Sequence, residues 1–418
     1  MPARIYYGWV VVAAAFTLMF VGFGAAYSFA AFFKAFESQF AASRAHVALV
    51  FSVAAFVWFT VGAPGGVLAD RLGPRRVCLA GVACLVAALA LAPLAPSVEV
   101  LYLTYSLGIG LGVGLTYVPS VGAVQPWFAR NRAFASGLAV AGIGAGNFVV
   151  PLLAAWWIEL FGWRGAYQAL ALFVLLLGGA AAAAIDNDPA HHGASAEGAG
   201  APPRRTAAER AAIPGATLAA ALGSAPFWLL YASLVLTCVG LFVPMVHLSA
   251  YAQDAGYSEA EGVLLVSLIG LGSLLGRFTV GGVADRLGRQ PSLAAMYAGL
   301  GAMLVVWWAT TNWWVLALFA LLFGVCYGAY VALLPTIMMD LYGPRAVSGI
   351  IGFLYTGAGL GTLAGPALAG AAYDALGAYD APILVGAALS FAAAGCVLML
   401  MRRARATAAA PSAGQKPA

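Results

Sequence analysis

The chain has 418 residues, 63% of them hydrophobic and only 8% charged, with a mean hydropathy of +0.93, 51 glycines and a formal net charge of +5. A soluble globular protein of this length has no core able to hide so much apolar surface, so lipid must be the solvent. The basic surplus is scattered through short segments between apolar ones, which speaks for an anionic membrane leaflet and against a nucleic-acid partner.

Stretches of about 20 apolar residues, enough to span ~30 Å of hydrocarbon, fall at approximately 7–30, 46–69, 76–96, 100–124, 132–157, 163–185, 226–251, 261–283, 291–310, 313–338, 346–372 and 379–401. The first is longer than the apolar region of a secretory leader, and removing it would unbalance the two halves, so it is read as a span. Between the second and third spans lies Gly65-Gly66-Val67-Leu68-Ala69-Asp70-Arg71-Leu72-Gly73-Pro74-Arg75-Arg76, and between the eighth and ninth its near copy Gly281-Gly282-Val283-Ala284-Asp285-Arg286-Leu287-Gly288-Arg289. Asp70 and Asp285 are 215 residues apart, and Gly142, Gly144, Gly146, Pro151 and Gly162 recur at the same offset as Gly357, Gly359, Gly361, Pro366 and Gly377. The fold class is therefore all-α membrane protein: twelve transmembrane helices in two pseudo-symmetric bundles of six, an arrangement that commonly encloses a substrate path.

Glycine runs such as Gly108 to Gly114 lie inside spans, where small residues let helix backbones approach. No strand precedes them, so they do not form a nucleotide fingerprint. Residues 186–220 turn polar and rich in Pro, Ala and Arg, and read as a linker between bundles 1–185 and 221–403, with a short helix near Ala207 to Ala212 and a solvated His191-His192 pair. Residues 404–418 read as a disordered tail. The five cysteines sit in apolar spans without ligand spacing, and no metal or cofactor is expected. With both termini cytoplasmic, sixteen basic residues fall on the inner side against Lys34, Arg44 and Arg164 outside, which fixes the orientation.

One cation breaks the pattern. Arg277 stands eight residues before Asp285 on the eighth span, ~12 Å inward from the loop at 1.5 Å per residue. A guanidinium at that depth must face the bundle interior, where its planar fork suits a carboxylate ligand; the alternative is an ion pair locking two helices. The acidic residues nearest the spans, Glu159, Asp340 and Asp374, lie toward membrane faces, which favours the ligand. His247, just after Pro244 on the seventh span, titrates near neutrality and is the candidate proton carrier. Tyr27, Tyr117, Asn147, Tyr327, Tyr330 and Tyr355 are polar groups deep in spans that could orient a small substrate. Asp70, Arg71, Arg75, Arg76, Asp285, Arg286 and Arg132 form a gate that meets a helix N-terminus or a neighbouring arginine on closure.

The repeated loop resembles the signature of the major facilitator superfamily, G-x-x-x-D-R-x-G-R-R. Tyr7-Gly8-Trp9-Val10-Val11-Val12, and Trp127-Phe128-Ala129-Arg130-Asn131-Arg132 followed by Ala133 to Gly142, resemble the two motifs of the monocarboxylate transporter family and its oxalate:formate antiporter relatives. The resemblance implies that Arg277 is the arginine that holds the substrate anion. Animal members carry an aspartate four residues earlier, where this chain has Ser273, and a lysine on helix 1, where it has Tyr27 before Phe32-Phe33. The second cation that oxalate carriers offer on helix 11 is missing between Val347 and Ala372. The expected function is transport of a small monocarboxylate, lactate- or pyruvate-like, with proton symport by alternating access. The expected setting is an inner membrane, as a monomer. The rivals are an organic anion exchanger and a carboxylate sensor; an enzyme is not expected, since neither H-E-x-x-H nor G-x-S-x-G occurs.

Overall fold

The computed structural model describes residues 6–128, 131–192 and 215–409. The segment expected to form a short helix at 207–212 and the last residues of the tail lie outside the described residues, as do the side chains of Arg132 and Asp285.

Eleven continuous helical segments of the described chain are long and apolar enough to cross a membrane. They are α1 (Tyr7–Phe40), α2 (Arg44–Leu72), α3 (Pro74–Leu94), α4 (Val98–Trp127), the run Phe134–Ala184, α7 (Ala225–Asp254), α8 (Glu259–Leu287), α9 (Arg289–Trp308), α10 (Trp313–Tyr342), α11 (Val347–Leu376) and α12 (Asp380–Ala409). The run Phe134–Ala184 has 51 residues, about 77 Å of helix and over twice the hydrocarbon thickness. Gly162, at φ 68°, breaks it in a conformation that a side chain would resist. The halves 134–161 and 163–184 are α5 and α6, consistent with twelve crossings. Helix α1 continues about ten residues past its expected end, because Phe29, Phe32, Phe33 and Phe36 are all buried there. It stops where Ala41 turns left-handed at φ 46°.

The pseudo-symmetry survives at the level of single contacts. A Cβ on Gly146 of α5 would strike the Phe20 carbonyl of α1, and one on Gly361 of α11 would approach the Val235 carbonyl of α7 at 2.5 Å. Both pairs lie 215 residues apart. Gly110 on Ala54 and Gly324 on Ile269 repeat the same seam between α4 and α2 and between α10 and α8. Between bundles, α2 packs on α11 and α5 on α8, two contacts that are also mates under the repeat.

One face carries the start of α1 and the ends of α6 and α10: the Tyr7 phenol donates to the Ala184 carbonyl at the end of α6, 2.9 Å away, and the Ala216 amide donates to the Tyr342 carbonyl at the end of α10, 2.7 Å. Here His192 is not merely solvated. It stacks on Tyr7 with centroids 3.6 Å apart and meets Asp186 at 3.2 Å, since the start of α1 offers it an aromatic surface.

Candidate functional site

Midway through the molecule a cavity of about 50 Å³ lies between the bundles, and Arg277 is the one charged residue on its wall among the described residues. The guanidinium gets there because α5 and α8 cross almost backbone to backbone: Gly270 faces the backbone of Asn147 and Phe148, and Gly144 that of Leu274. One turn further along α8, Arg277 Nη1 donates to the Val140 carbonyl of α5 at 2.6 Å. Its Nε and Nη2 have no partner. No carboxylate reaches it among the described residues, so the helix-locking ion pair is not formed. A buried guanidinium with two idle donors can take a carboxylate through a fork of two hydrogen bonds.

Tyr27, Tyr117, Tyr327, Tyr330 and Tyr355 share the cavity with Arg277. The Tyr27 and Tyr327 hydroxyls meet at 3.0 Å and tie α1 to α10 across the bundles. Asn147 is not on the cavity wall. It is buried in the helix crossing, its amide donating weakly toward Met245 Sδ at 3.9 Å and its Oδ1 without a partner. Ser273 is fully buried, its hydroxyl likewise unpartnered. The sequence reading missed Phe23, Phe59 and Phe242, which complete the aromatic wall. As phenylalanines in apolar helices they carried no signal that separated them from packing.

From this cavity a vestibule of about 440 Å³ leads toward the face with the start of α1 and the ends of α6 and α10, sharing Phe23, Phe59, Tyr117 and Tyr355 with it. At its mouth, Asp70 and Ala63 of α2 look across at Ser348 and Gly349 of α11. Asp70, Arg71, Arg75, Arg76 and Arg286 are exposed there, and Asp70 makes no ion pair among the described residues. Arg289, the last residue of the second motif, pairs instead with Asp340 of α10 at 2.7 and 2.9 Å, inside its own bundle.

The opposite face is shut. Arg44, 3% exposed, reaches from α2 to Asp254 of α7 at 2.6 Å and to the Tyr379 hydroxyl at 2.9 Å, with its guanidinium 3.8 Å over the Tyr373 ring. Lys34 of α1 meets Asp254 at 2.6 Å, and Glu37 accepts from Arg44 at 3.1 Å. Asp374 of α11 accepts from the Arg44 and Ala45 amides at 3.0 and 2.9 Å, so a carboxylate of one bundle caps a helix of the other. His247 belongs to this cluster and not to the cavity. Its Nδ1 meets Tyr379 Oη at 3.0 Å, its Nε2 meets the Pro366 carbonyl at 2.9 Å, and the Phe33 ring lies edge-on at 5.1 Å. Since a carbonyl only accepts, the hydrogen sits on Nε2 and Nδ1 accepts from the tyrosine, a tautomer assigned from the network. Burial pushes the Tyr379 phenol above its ordinary value, with the Arg44 charge pulling the other way, so the hydroxyl keeps its proton. The cluster was legible only as scattered loop charges, because its members lie up to 335 residues apart in sequence.

Comparison with known proteins agrees with this architecture. The model of the Major Facilitator Superfamily matches residues 14–307 and 240–418. Monocarboxylate transporter 13 of Bos taurus is 28% identical over 407 residues, covering 94% of this chain and 89% of that protein. Monocarboxylate transporter 3 of Mus musculus is 33% identical over 382 residues, covering 90% and 75%. Among solved structures, a bacterial homolog of the human lysosomal transporter Spinster, in an inward-facing and unoccupied conformation, matches with a TM-score of 0.68 at 15% identity, covering 95% of this chain and 96% of that one.

Proposed function

The chain belongs to the Major Facilitator Superfamily and stands among its monocarboxylate transporters, and from that membership we propose that it carries a small monocarboxylate, lactate- or pyruvate-like, together with a proton. The observation that carries this reading is the pair of idle, buried nitrogens Nε and Nη2 on Arg277 between the bundles, with no carboxylate among the described residues within reach. The carboxylate sits on Nε and Nη2, and the tyrosine hydroxyls approach the hydroxyl or keto oxygen. The protein is a transporter and not an enzyme. It works as a monomer in an inner membrane with both termini cytoplasmic, which makes the vestibule face the cytoplasmic one.

Proton coupling resides in the shut face. Neutral His247 completes the chain Arg44 to Tyr379 to His247 to the Pro366 carbonyl, with every donor matched to an acceptor. A proton on Nδ1 would leave the Tyr379 hydroxyl hydrogen without an acceptor and add a cation beside Arg44 and Lys34; Asp374, Asp254 and Glu37 are the carboxylates of the cluster. Closing this face, driven by substrate binding at Arg277, therefore requires His247 to give up the proton that it took up while the face was open, and in symport that proton leaves inward, toward the open vestibule, with the anion. The cytoplasmic gate, of which Asp70, Arg71, Arg75, Arg76 and Arg286 are exposed, is then in its released state.

Uptake of labelled L-lactate into proteoliposomes under an inward proton gradient tests the reading. Accumulation is expected, falling at least tenfold in Arg277→Ala; His247→Ala is expected to keep binding but lose the response to the gradient. Uptake that needs an internal counter-anion and ignores pH would replace symport by exchange.

A further inference from the structure

The vestibule beside the arginine cavity is much larger than a two- or three-carbon anion and is lined mostly by apolar side chains. Its volume of about 440 Å³ falls in the ~300–1,000 Å³ range of pockets that hold a whole small molecule. Among the described residues sixteen line it and none is charged, with Trp58, Phe59, Val118, Val121 and Ile351 its bulky apolar members. Such a wall offers an anion only the scattered neutral polar groups of Gln125, Ser348, Tyr117 and Tyr355, whereas it rewards any apolar group that leaves water. The aromatic rings are also set at angles. Phe23 stands at 90° to Tyr117 with centroids 5.5 Å apart, and at 67° to Trp58 at 6.0 Å. Both edges and faces are thus offered, the arrangement that a further ring packs against best. The vestibule is continuous with the Arg277 cavity through Phe23, Phe59, Tyr117 and Tyr355.

We propose that the vestibule is the tail subsite of the anion site, and that the chain's preferred ligands are arylalkyl monocarboxylates, held with the carboxylate on Arg277 and the ring between Phe59, Val118 and Ile351. The inference rests on the reading of Arg277 as the carboxylate site and narrows it to a substrate class. A small acid fills only the arginine end and leaves the apolar wall wet, while a ring one methylene away from the acid's hydroxyl carbon removes that wall from water.

The test is calorimetric titration of the full chain in detergent with L-lactate and L-3-phenyllactate, which differ only by the phenyl group. The phenyl acid is expected to bind at least about tenfold more tightly. A Cβ on Gly122 would meet nothing within 4 Å, so Gly122→Leu fills the vestibule without moving a helix. It is expected to erase most of that preference while leaving lactate affinity within about threefold. Ile351→Ser, which fills nothing but makes the wall polar, is expected to erode the preference in the same direction. Lactate binding as tightly as phenyllactate, with Arg277→Gln abolishing both, would overturn the tail subsite and leave the anion site standing. Tight phenyllactate binding indifferent to Arg277→Gln, or no binding of either acid, would overturn both.

Discussion

Arg277 and Gly62 occupy equivalent positions 215 residues apart in the two halves, one at the wall of the anion cavity and the other in the vestibule. The repeat that builds the scaffold is thus broken where the chemistry lies, with a guanidinium on one side and no side chain on the other. Only the shape of the guanidinium explains its bond to Val140 and its two idle donors at once. Arg277→Lys keeps the charge but cannot hold the carbonyl and a forked carboxylate together, since an ammonium is a point charge without the planar fork. Losing one charge-assisted hydrogen bond costs about 1.5–3 kcal/mol, so carboxylate affinity of the lysine variant, measured by titration, is expected to fall about 10- to 100-fold. The arginine was legible in the sequence because charge is rare inside spans. Asn147 was singled out on the same ground, yet the fold buries it in a crossing, since depth along a helix does not tell which way a side chain faces.

At the scale of helices, glycine decides what touches what. In the seam between α8 and α10, a Cβ on Gly328 would strike the Ser273 carbonyl and one on Gly276 the Val325 carbonyl, leaving no room for a methyl group. This close approach sets the rotation of α8 and hence the direction of Arg277. Gly328→Val is expected to lower stability by about 1–3 kcal/mol through overpacking, read as a lower melting temperature in detergent, and to weaken carboxylate binding as α8 shifts. Gly122→Ala is the control: its new methyl meets open space, so the melting temperature is expected to hold or rise slightly. Helices, loops and the repeat could be read from the sequence, since hydropathy and the paired charged motif mark them directly. The glycines that seat the site could not be told from those that merely pack, because partners in a seam such as Ser273 and Gly328 are brought together by the fold and not by spacing.

For the whole molecule, the structure is one end of a two-state device, shut by Arg44, Lys34, Asp254, Asp374 and Tyr379 on one face and open at Asp70 on the other. Arg44 is the keystone, because it joins both bundles through an ion pair, a hydrogen bond and a stacked ring. Arg44 is buried but the Asp254 side chain is 30% exposed, so losing the pair costs less than the ~3–5 kcal/mol of a fully buried one, and a few kcal/mol still shifts a conformational equilibrium of ordinary size. Spin labels at exposed Ser38 and Ala255, on the two sides of this closure, are expected to move apart in Arg44→Gln, and an unchanged distance would mean that the cluster does not hold the face shut. What the sequence determined by itself was the lipid setting, the twelve spans, the duplication and the one arginine out of place, because each of these is a local or periodic property of the chain. Tertiary structure alone decided that His247 joins the shut face and not the Arg277 cavity, that Lys34 and Arg44 form a clasp, and that Phe23, Phe59 and Phe242 join five tyrosines on the cavity wall. Those outcomes depend on which helices meet and how each is rotated, and that is set by backbone contacts between residues hundreds of positions apart.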